Sequence, residues 1–369
     1  GSGGWPLTII MTPDKKPFFA GTYIPKQSRY GRMGMMELLP RLAELWRDDR
    51  QKLLKSADEI VDHLSDSAVA TAGAELGADL LDQTFQDLND RYDELHGGFG
   101  EKPKFPTPHN ILFLLRHHQR SGDKKALAIV EKTLVEMSRG GIYDHIGFGF
   151  HRYSTDQEWL LPHFEKMLYD QAMLILAYSE AWQATKNPDF AKTAHEIIAY
   201  VLRDMTDENG GFYSAEDADS DGEEGKFYVW TQDEIERILG EDATWFTKLY
   251  NVEKNGNFVD EATQQKSGAN ILHLRDSLSV FAAEAKIPLD TLRGKIESAR
   301  EKLYLEREKR IHPYKDDKIL TDWNGLMITA LAAAGRIFEE SRYLEAAAKA
   351  QKFISRNMLS KDGRLLHRY

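Results

Sequence analysis

The feature that most constrains the fold of this chain is an alternation, after residue 79, between two kinds of predicted helix. The first kind is amphipathic and recurs at 79–95, 124–138, 189–206, 290–309 and 342–358. The second kind is apolar on nearly every side and covers 111–115, 164–182 and 323–338. A helix without a polar face is expected to be buried all round. The alternation therefore predicts two concentric layers, with buried inner helices and amphipathic outer helices.

Glycine-rich turns follow the predicted outer helices and suggest a repeating unit. They read HGGFG at 96–100, RGGIYDHIGFGF at 139–150, NGGFYS at 209–214 and KDGRLLHRY at 361–369. Glycine ends helices and permits tight turns. Each turn is therefore expected to lead through a short hairpin into the next inner helix. The alternative interpretation is that these turns are unrelated helix ends.

The first 67 residues predict a different kind of structure. Short β-branched and aromatic runs at 7–12 and 17–22 predict two strands around a turn. A regular apolar stripe then predicts one long helix over 35–64, and Pro40 is expected to bend its first turns. A segment rich in alanine, serine and glycine predicts a linker at 68–78. We therefore expect part of an α/β domain at 1–67 and a helical domain at 79–369.

Charge and composition exclude several classes of function. The 369 residues include 48 lysines and arginines and 59 aspartates and glutamates, which gives a net charge of −11. We therefore expect neither a nucleic-acid interface nor binding to an anionic membrane surface. The chain has no cysteine, so disulfides, thiolate metal sites and cysteine nucleophiles are excluded within it. The absence of cysteine favours a reducing compartment, and we expect a cytoplasmic location.

The sequence predicts no cofactor and no metal site. DADSDG at 217–222 matches the opening of a calcium loop, with acidic residues at its first, third and fifth places. Tyr228 stands where such a loop needs a bidentate glutamate. We therefore interpret Asp217 and Asp219 as part of an acidic loop that faces a cavity.

Ionisable and aromatic residues concentrate where the three predicted inner helices begin, at 104–110, 160–170 and 320–324. Two concentric layers would gather these helix starts at one mouth. Glu165 and Asp322 are the candidate acid–base pair, since glycoside cleavage needs one carboxyl as acid and another as base or nucleophile. His163 is the candidate proton carrier that an epimerase or isomerase would need.

The same region supplies candidate substrate-binding residues, because sugar sites combine aromatic planes with convergent polar groups. The candidates are Asp144, His145, His151, Arg152, Tyr153, Trp159, Asp170, Asp217, Asp219, Trp323 and Asn324. A second interpretation stays open. In it, His163 and Glu165 form a buried structural network with Arg152 and Lys166.

Long segments of the chain resemble one protein family. They are GGWPLTIIMTPDKKPFFAGTYIP at 3–25, GGIYDHIGFGFHRYSTDQEWLLPHFEKMLYDQA at 140–172, GGFYSAEDADSDGEEGKFYVWT at 210–231 and KILTDWNGLMITALA at 318–332. The family is that of the thioredoxin-domain-containing proteins that include spermatogenesis-associated protein 20. The resemblance implies a mainly α fold. The C-terminal half of a thioredoxin-like α/β domain would precede an incomplete (α/α) six-hairpin toroid. It also implies that Pro6 matches the thioredoxin cis-proline.

The resemblance also shapes the expected function. Six-hairpin toroids occur in many glycosidases and in N-acylglucosamine epimerases, so we expect a carbohydrate-active protein with a small carbohydrate as its partner. The alternative is a non-catalytic binding or scaffold protein, with any redox function in the absent part of the thioredoxin-like domain. The chain holds fewer helices than a closed ring requires. We therefore expect a fragment that self-associates through the open edge of the toroid.

Overall fold

The structure is a computed structural model that describes residues 4, 6–29, 31–68, 73, 77–259 and 264–369. These residues divide into two compact units, Gly1–Gly77 and Ala78–Tyr369. Within the described residues, every helix is too short or too polar to cross a lipid bilayer.

In the first unit, strands β1 (Thr8–Met11) and β2 (Pro17–Gly21) form an antiparallel pair. Helices α1 (Met35–Asp48) and α2 (Arg50–Ala68) follow, and α2 packs against β2. The prediction of one long helix is wrong, because Asp49 leaves the helical region with φ −142° and ψ 53°. Pro40 lies inside α1 and is not the point of the break. The peptide bond before Pro6 involves Trp5, so the predicted cis-proline lies outside the described residues.

In the second unit, three inner helices lie side by side, α4 (Pro108–Ser121), α6 (Leu168–Thr185) and α12 (Thr321–Ile337), with α6 in the middle. Each packs against the outer helix that follows it, which is α5 (Lys124–Arg139), α7 (Pro188–Asp204) or α13 (Ser341–Asn357). Helix α3 (Ala78–Asp90) packs on α4. Consecutive helical hairpins with their first helices adjacent form the (α/α) toroid arrangement. The mainly α fold class with an incomplete toroid is confirmed.

The burial of the inner helices follows their sequence only in part. Leu168, Leu174, Ile175 and Tyr178 of α6 are all fully buried, as expected for the central helix. Helix α12 is different, because it contacts α6 and α13 and leaves one stripe exposed. The stripe consists of Asp322, Gly325, Thr329, Ala332 and Arg336. The expectation of burial on nearly every side is therefore wrong for α12.

The glycine-rich turns share one structural feature, an isolated β-bridge that closes each turn. Isolated β-bridges close them between Tyr92 and Phe99, Tyr143 and Phe150, Thr206 and Phe212, and Leu359 and Leu365. Gly149 shows why glycine is needed, since its φ is +80° and an added Cβ would lie 2.6 Å from the ring of Tyr200. The predicted route through a short hairpin to the next inner helix is confirmed for the turn at 139–150 and is wrong for the turn at 209–214, because a long insertion separates that turn from α12.

Short strands join the starts of the inner helices. Strands β3 (Tyr153–Ser154) and β4 (Pro162–His163) form a hairpin, and Ser154 also bridges to Lys104, just before α4. Strand β5 (Lys166–Met167) leads directly into α6. It pairs with β6 (Ala215–Glu216), which in turn pairs with β11 (Lys315–Asp316) before α12. Residues 164–167 are therefore not helical, although the sequence predicted the inner helix from 164.

An insertion between α7 and α12 carries the remaining elements. They are β7 (Asp219–Ser220), β8 (Glu223–Glu224), β9 (Trp230–Thr231), α8 (Gln232–Leu239), α9 (Ala243–Leu249), β10 (Ala269–Asn270), α10 (Leu278–Ala285) and α11 (Leu289–Arg307). Trp230, Phe246 and Leu292 centre a separate apolar core here. Helix α11 packs against α8 and α10, so the amphipathic helix predicted at 290–309 belongs to the insertion and not to the outer layer.

Candidate functional site

A row of side chains begins beside the start of α4 and runs toward α6. The ring of Phe105 lies 4.8 Å from that of Tyr153, and Tyr153 stacks on His163 with 5.0 Å between ring centroids. His163 Nε2 lies 3.7 Å from Glu165 Oε2. The β3–β4 hairpin therefore brings aromatic and ionisable groups together in front of α6.

The row continues to the start of α12. Arg152 Nη1 donates to Glu165 Oε2 at 2.8 Å. Burial opposes the charge of Arg152, but the Tyr169 hydroxyl and the Glu165 carboxylate together hold the pKa of Arg152 above its usual value. The ring of Tyr169 meets that of Trp323 edge-on at 4.9 Å. We call this set, Phe105, Tyr153, His163, Glu165, Arg152, Tyr169 and Trp323, the mouth row.

Glu165 and His163 remain within reach of solvent. Their side chains are 24% and 27% exposed, so the pair is not sealed in the protein. His163 Nδ1 also lies 2.7 Å from Glu224 Oε1 on β8. This hydrogen bond raises the pKa of His163 above 6.5, against the opposing effect of burial. His163 is therefore protonated more readily than an ordinary histidine.

Asp170 is the most perturbed carboxyl near the mouth row. It lies in the first turn of α6 and is only 6% exposed. Its Oδ2 has no hydrogen-bond partner in the part of the chain that is described. Burial raises the pKa of Asp170 to about 8, although the charge of Arg152 acts in the opposite direction. A carboxyl in this state is protonated at neutral pH and can act as an acid.

A separate, buried ion cluster surrounds Asp144. Lys166 Nζ donates to Asp144 Oδ2 and Arg307 Nη1 donates to Asp144 Oδ1, each at 2.9 Å. Burial alone would raise the pKa of Asp144, but Arg307 and Lys166 hold it well below its usual range. Lys166 thus pairs with Asp144 and not with Glu165. The network of the second interpretation is therefore formed only in part, since Glu165 pairs with Arg152 and lies near His163, while Lys166 belongs to the separate cluster around Asp144.

Several candidate substrate-binding residues form hydrogen bonds between their side chains and backbone groups. His145 and His151 bond to carbonyl groups, and burial lowers the pKa of His145 to about 4 and that of His151 to about 3. Trp159 Nε1 donates to the carbonyl of His96 at 2.9 Å. Asn324 is fully buried and bonds to both the N–H and the carbonyl of Phe212. These side chains support the turns around the mouth row and are not part of it.

The remaining acidic candidates are exposed. Asp322 accepts a hydrogen bond from the N–H of Trp323 at 3.0 Å, at the far end of the mouth row. No contact between Asp322 and Glu165 is present among the described residues. Asp217 and Asp219 lie near β7, where Asp217 Oδ1 accepts from the N–H of Asp219 at 3.3 Å. The structure therefore does not bring the predicted acid–base pair, Glu165 and Asp322, into contact.

Sequence reasoning missed three members of the site. Phe105 and Tyr169 lie within the stretches 104–110 and 160–170 that the sequence singled out, so their aromatic rings were available signals. Glu224 gave no such signal, because it meets His163 across 61 residues of sequence through the β7–β8 hairpin. Only the folded chain reveals that contact.

Comparison with known proteins identifies relatives. Residues 1–65 match the family model Thioredox_DsbH, described as a protein of unknown function, DUF255. The chain is 37% identical over 391 residues to human spermatogenesis-associated protein 20, and the match covers 99% of this chain and 50% of that protein. The resemblance to the family that includes this protein is confirmed. An uncharacterized protein from Caenorhabditis elegans is 33% identical over 387 residues, with coverage of 99% and 53%. The chain spans about half the length of the curated relatives it matches.

Solved structures with some likeness include a sugar epimerase from a ruminal bacterium. It has a TM-score of 0.33 and 13% identity, and the match covers 78% of this chain and 90% of that one. Another is the family 76 glycoside hydrolase (mannosidase) Bt3792 from Bacteroides thetaiotaomicron, with a TM-score of 0.39 and 9% identity, which covers 70% of this chain and 45% of that one. At these TM-scores neither likeness bears on the chemistry of the mouth row.

Proposed function

We propose that the mouth row binds a small carbohydrate and catalyses proton transfer to and from it. The chain would then act as a glycoside hydrolase or as a sugar epimerase or isomerase. One observation carries the proposal. Asp170 is a buried carboxyl whose Oδ2 has no hydrogen-bond partner among the described residues, and its charge interacts with that of Arg152, which holds the partly exposed Glu165 in an ion pair. Two carboxyl groups in such different environments are suited to act as acid and as base.

Each side chain then has a role. Asp170 donates a proton, because the pKa of its carboxyl is raised to about 8 by burial. Glu165 accepts a proton or attacks carbon, and Arg152 orients its carboxylate through the 2.8 Å hydrogen bond. His163 carries a proton between Glu165 and solvent. In this proposal Asp170 replaces Asp322 as the partner of Glu165 in the acid–base pair, because Asp322 is exposed at the far end of the mouth row.

Aromatic rings supply the binding surface for the sugar. Phe105, Tyr153, Tyr169 and Trp323 follow one another along the mouth row. Sugar rings present apolar C–H faces and polar edges, and a site with a few convergent polar groups between aromatic rings suits both. Arg152 and His163 lie among these rings and can bind hydroxyl groups.

The experiment that tests the proposal measures turnover of mono- and disaccharides by wild type and by Glu165→Gln. Reducing-sugar release reports hydrolysis, and deuterium uptake from D2O into sugar C–H bonds reports epimerisation or isomerisation. Loss of an acid–base group should lower the turnover rate by roughly 10²- to 10⁴-fold with little change in affinity.

Glu180→Gln is the matched control. Glu180 lies in α6, pairs with Arg116 at 2.8 Å and is 25% exposed, close to the values for Glu165 and Arg152. Its variant should keep full activity. The absence of both turnover and binding heat with every sugar would refute the proposal.

The non-catalytic alternative has one observation in its favour. Without a ligand, Glu165 is already paired with Arg152 and His163 with Glu224. A site that only binds sugars would show calorimetric binding that Glu165→Gln leaves intact, with no turnover by wild type. The same experiment therefore separates the two functions.

A further inference from the structure

A second cleft in the helical unit contains polar groups that the mouth row does not use. Its volume is about 340 Å³, within the range of small-ligand sites. The last turn of α5, the turn that contains His96, the loop between β3 and β4, and the segment after β10 form its walls. It shares no lining residue with the mouth row.

Direct hydrogen bonds fix these walls to one another. Leu274 N donates to Arg139 O at 2.8 Å, which joins the segment after β10 to the end of α5. Ile142 N donates to Trp159 O at 3.0 Å, and Trp159 Nε1 donates to His96 O at 2.9 Å. The cleft is therefore preformed, and a ligand would lose little affinity to ordering of the protein.

Two arginines of the cleft have unused donors. Neither Arg139 nor Arg275 has an ion-pair or hydrogen-bond partner for its guanidinium group within the described ranges. Glu136 lies one turn before Arg139 on α5, yet its carboxylate is 3.8 Å from Lys132 Nζ instead. Guanidinium groups bind the paired oxygens of phosphate and carboxylate groups. The cleft therefore offers a place for an anionic group.

The acidic residues of the lining narrow the choice of ligand. Glu136 and Glu158 also border the cleft, and their charge would repel a polyanion. Carboxylates accept hydrogen bonds from hydroxyl groups. We propose that the cleft binds a small hydroxylated anion, a molecule with one phosphate or carboxylate group beside several hydroxyl groups. Arg139 and Arg275 bind the anionic group, and Glu136 and Glu158 accept hydrogen bonds from the hydroxyl groups.

Isothermal titration calorimetry on the 369-residue chain tests the proposal with three probes. Glucose 6-phosphate carries the anion as phosphate, gluconate carries it as carboxylate, and glucose is the neutral comparison. We expect saturable binding of at least one anionic probe, and its identity shows which group the arginines prefer. Arg139→Gln should weaken that binding by roughly tenfold to a hundredfold, and Arg139→Lys by less, because lysine keeps the charge.

Two variants serve as controls. Arg336→Gln removes an exposed arginine of α12 and should bind like wild type. Glu165→Gln changes the mouth row and should leave the affinity for the anionic probe unchanged, so failure of the proposed function would not affect this result. Absence of saturable binding by both anionic probes would overturn the proposal. Equal affinity of Arg139→Gln and wild type would do the same.

Discussion

Replacement of Asp170 by asparagine should make the chain more stable relative to wild type as the pH rises, because wild type loses stability. The pKa of this carboxyl is about 8 in the folded protein, because burial disfavours its charge, whereas an unfolded aspartate has a pKa of about 3.9. Between these values the unfolded chain loses a proton that the folded chain keeps. The free energy of unfolding of wild type therefore falls with pH through this group. Asparagine has the same shape and does not titrate.

The expected effect is large enough to measure. The gap, defined as the free energy of unfolding of Asp170→Asn minus that of wild type, should increase by about 1.4 kcal/mol for each pH unit. Between pH 5 and pH 7 the total is about 3 kcal/mol. Urea unfolding followed by tryptophan fluorescence, at constant ionic strength, measures this gap at each pH.

A matched control and a clear refutation exist. Asp322→Asn is the comparison variant, because Asp322 lies in the first turn of α12, as Asp170 does in α6, but is exposed. A gap for Asp170→Asn that stays constant from pH 5 to pH 7 would show that Asp170 is ionised in the folded protein. The acid role proposed for Asp170 would then be wrong.

Other predictions concern the supports of the site. Glu224→Gln should lower the pKa of His163, since the hydrogen bond that the imidazole donates to the Glu224 carboxylate raises it; NMR titration of the imidazole would contradict this if the pKa stayed constant. Asn324→Ala should lower the free energy of unfolding by about 2–4 kcal/mol, because buried backbone groups of Phe212 lose their partners. Gly149→Ala should destabilise the chain more than Gly122→Ala: both positions have positive φ, but only the first lacks space for a Cβ. Equal urea midpoints for the two glycine variants would refute the steric argument.

The helical layers could be predicted because their signals are local. The outer helix expected at 124–138 is α5, Lys124–Arg139, and the one expected at 342–358 is α13, Ser341–Asn357. Amphipathic periodicity and terminal glycines lie within each helix and its flanks, so neither depends on distant contacts. The role of α11 could not be predicted in this way, because which helix it packs against depends on the fold of the whole insertion.

The membership of the site was harder to predict, because residue type does not reveal burial. Asp144, His151 and Glu165 all lie close together in sequence and all suit a polar site. The structure puts Asp144 between two buried cations and ties His151 to a carbonyl group, and only Glu165 joins the mouth row. Asp144 pairs with Arg307, 163 residues away, which no local pattern could indicate.

In the segment that leads into α6, residues that stabilise the fold alternate with residues that belong to the candidate site. Burial alternates along it, with Phe164 and Lys166 buried and His163 and Glu165 partly exposed, as expected for an extended chain. Lys166→Met should therefore cost about 1–3 kcal/mol of stability, because Asp144 keeps Arg307 but the buried hydrogen bonds of Lys166 to Asp144 and to the carbonyl of Phe148 are lost. Glu165→Gln should cost less than about 1 kcal/mol, because its ion pair with Arg152 is partly exposed, yet it should lower the turnover rate by roughly 10²- to 10⁴-fold. Urea unfolding and the turnover assay, applied to both variants, test this separation. If both variants lost stability and activity to the same extent, the assignment of Lys166 to stability and of Glu165 to turnover would be wrong.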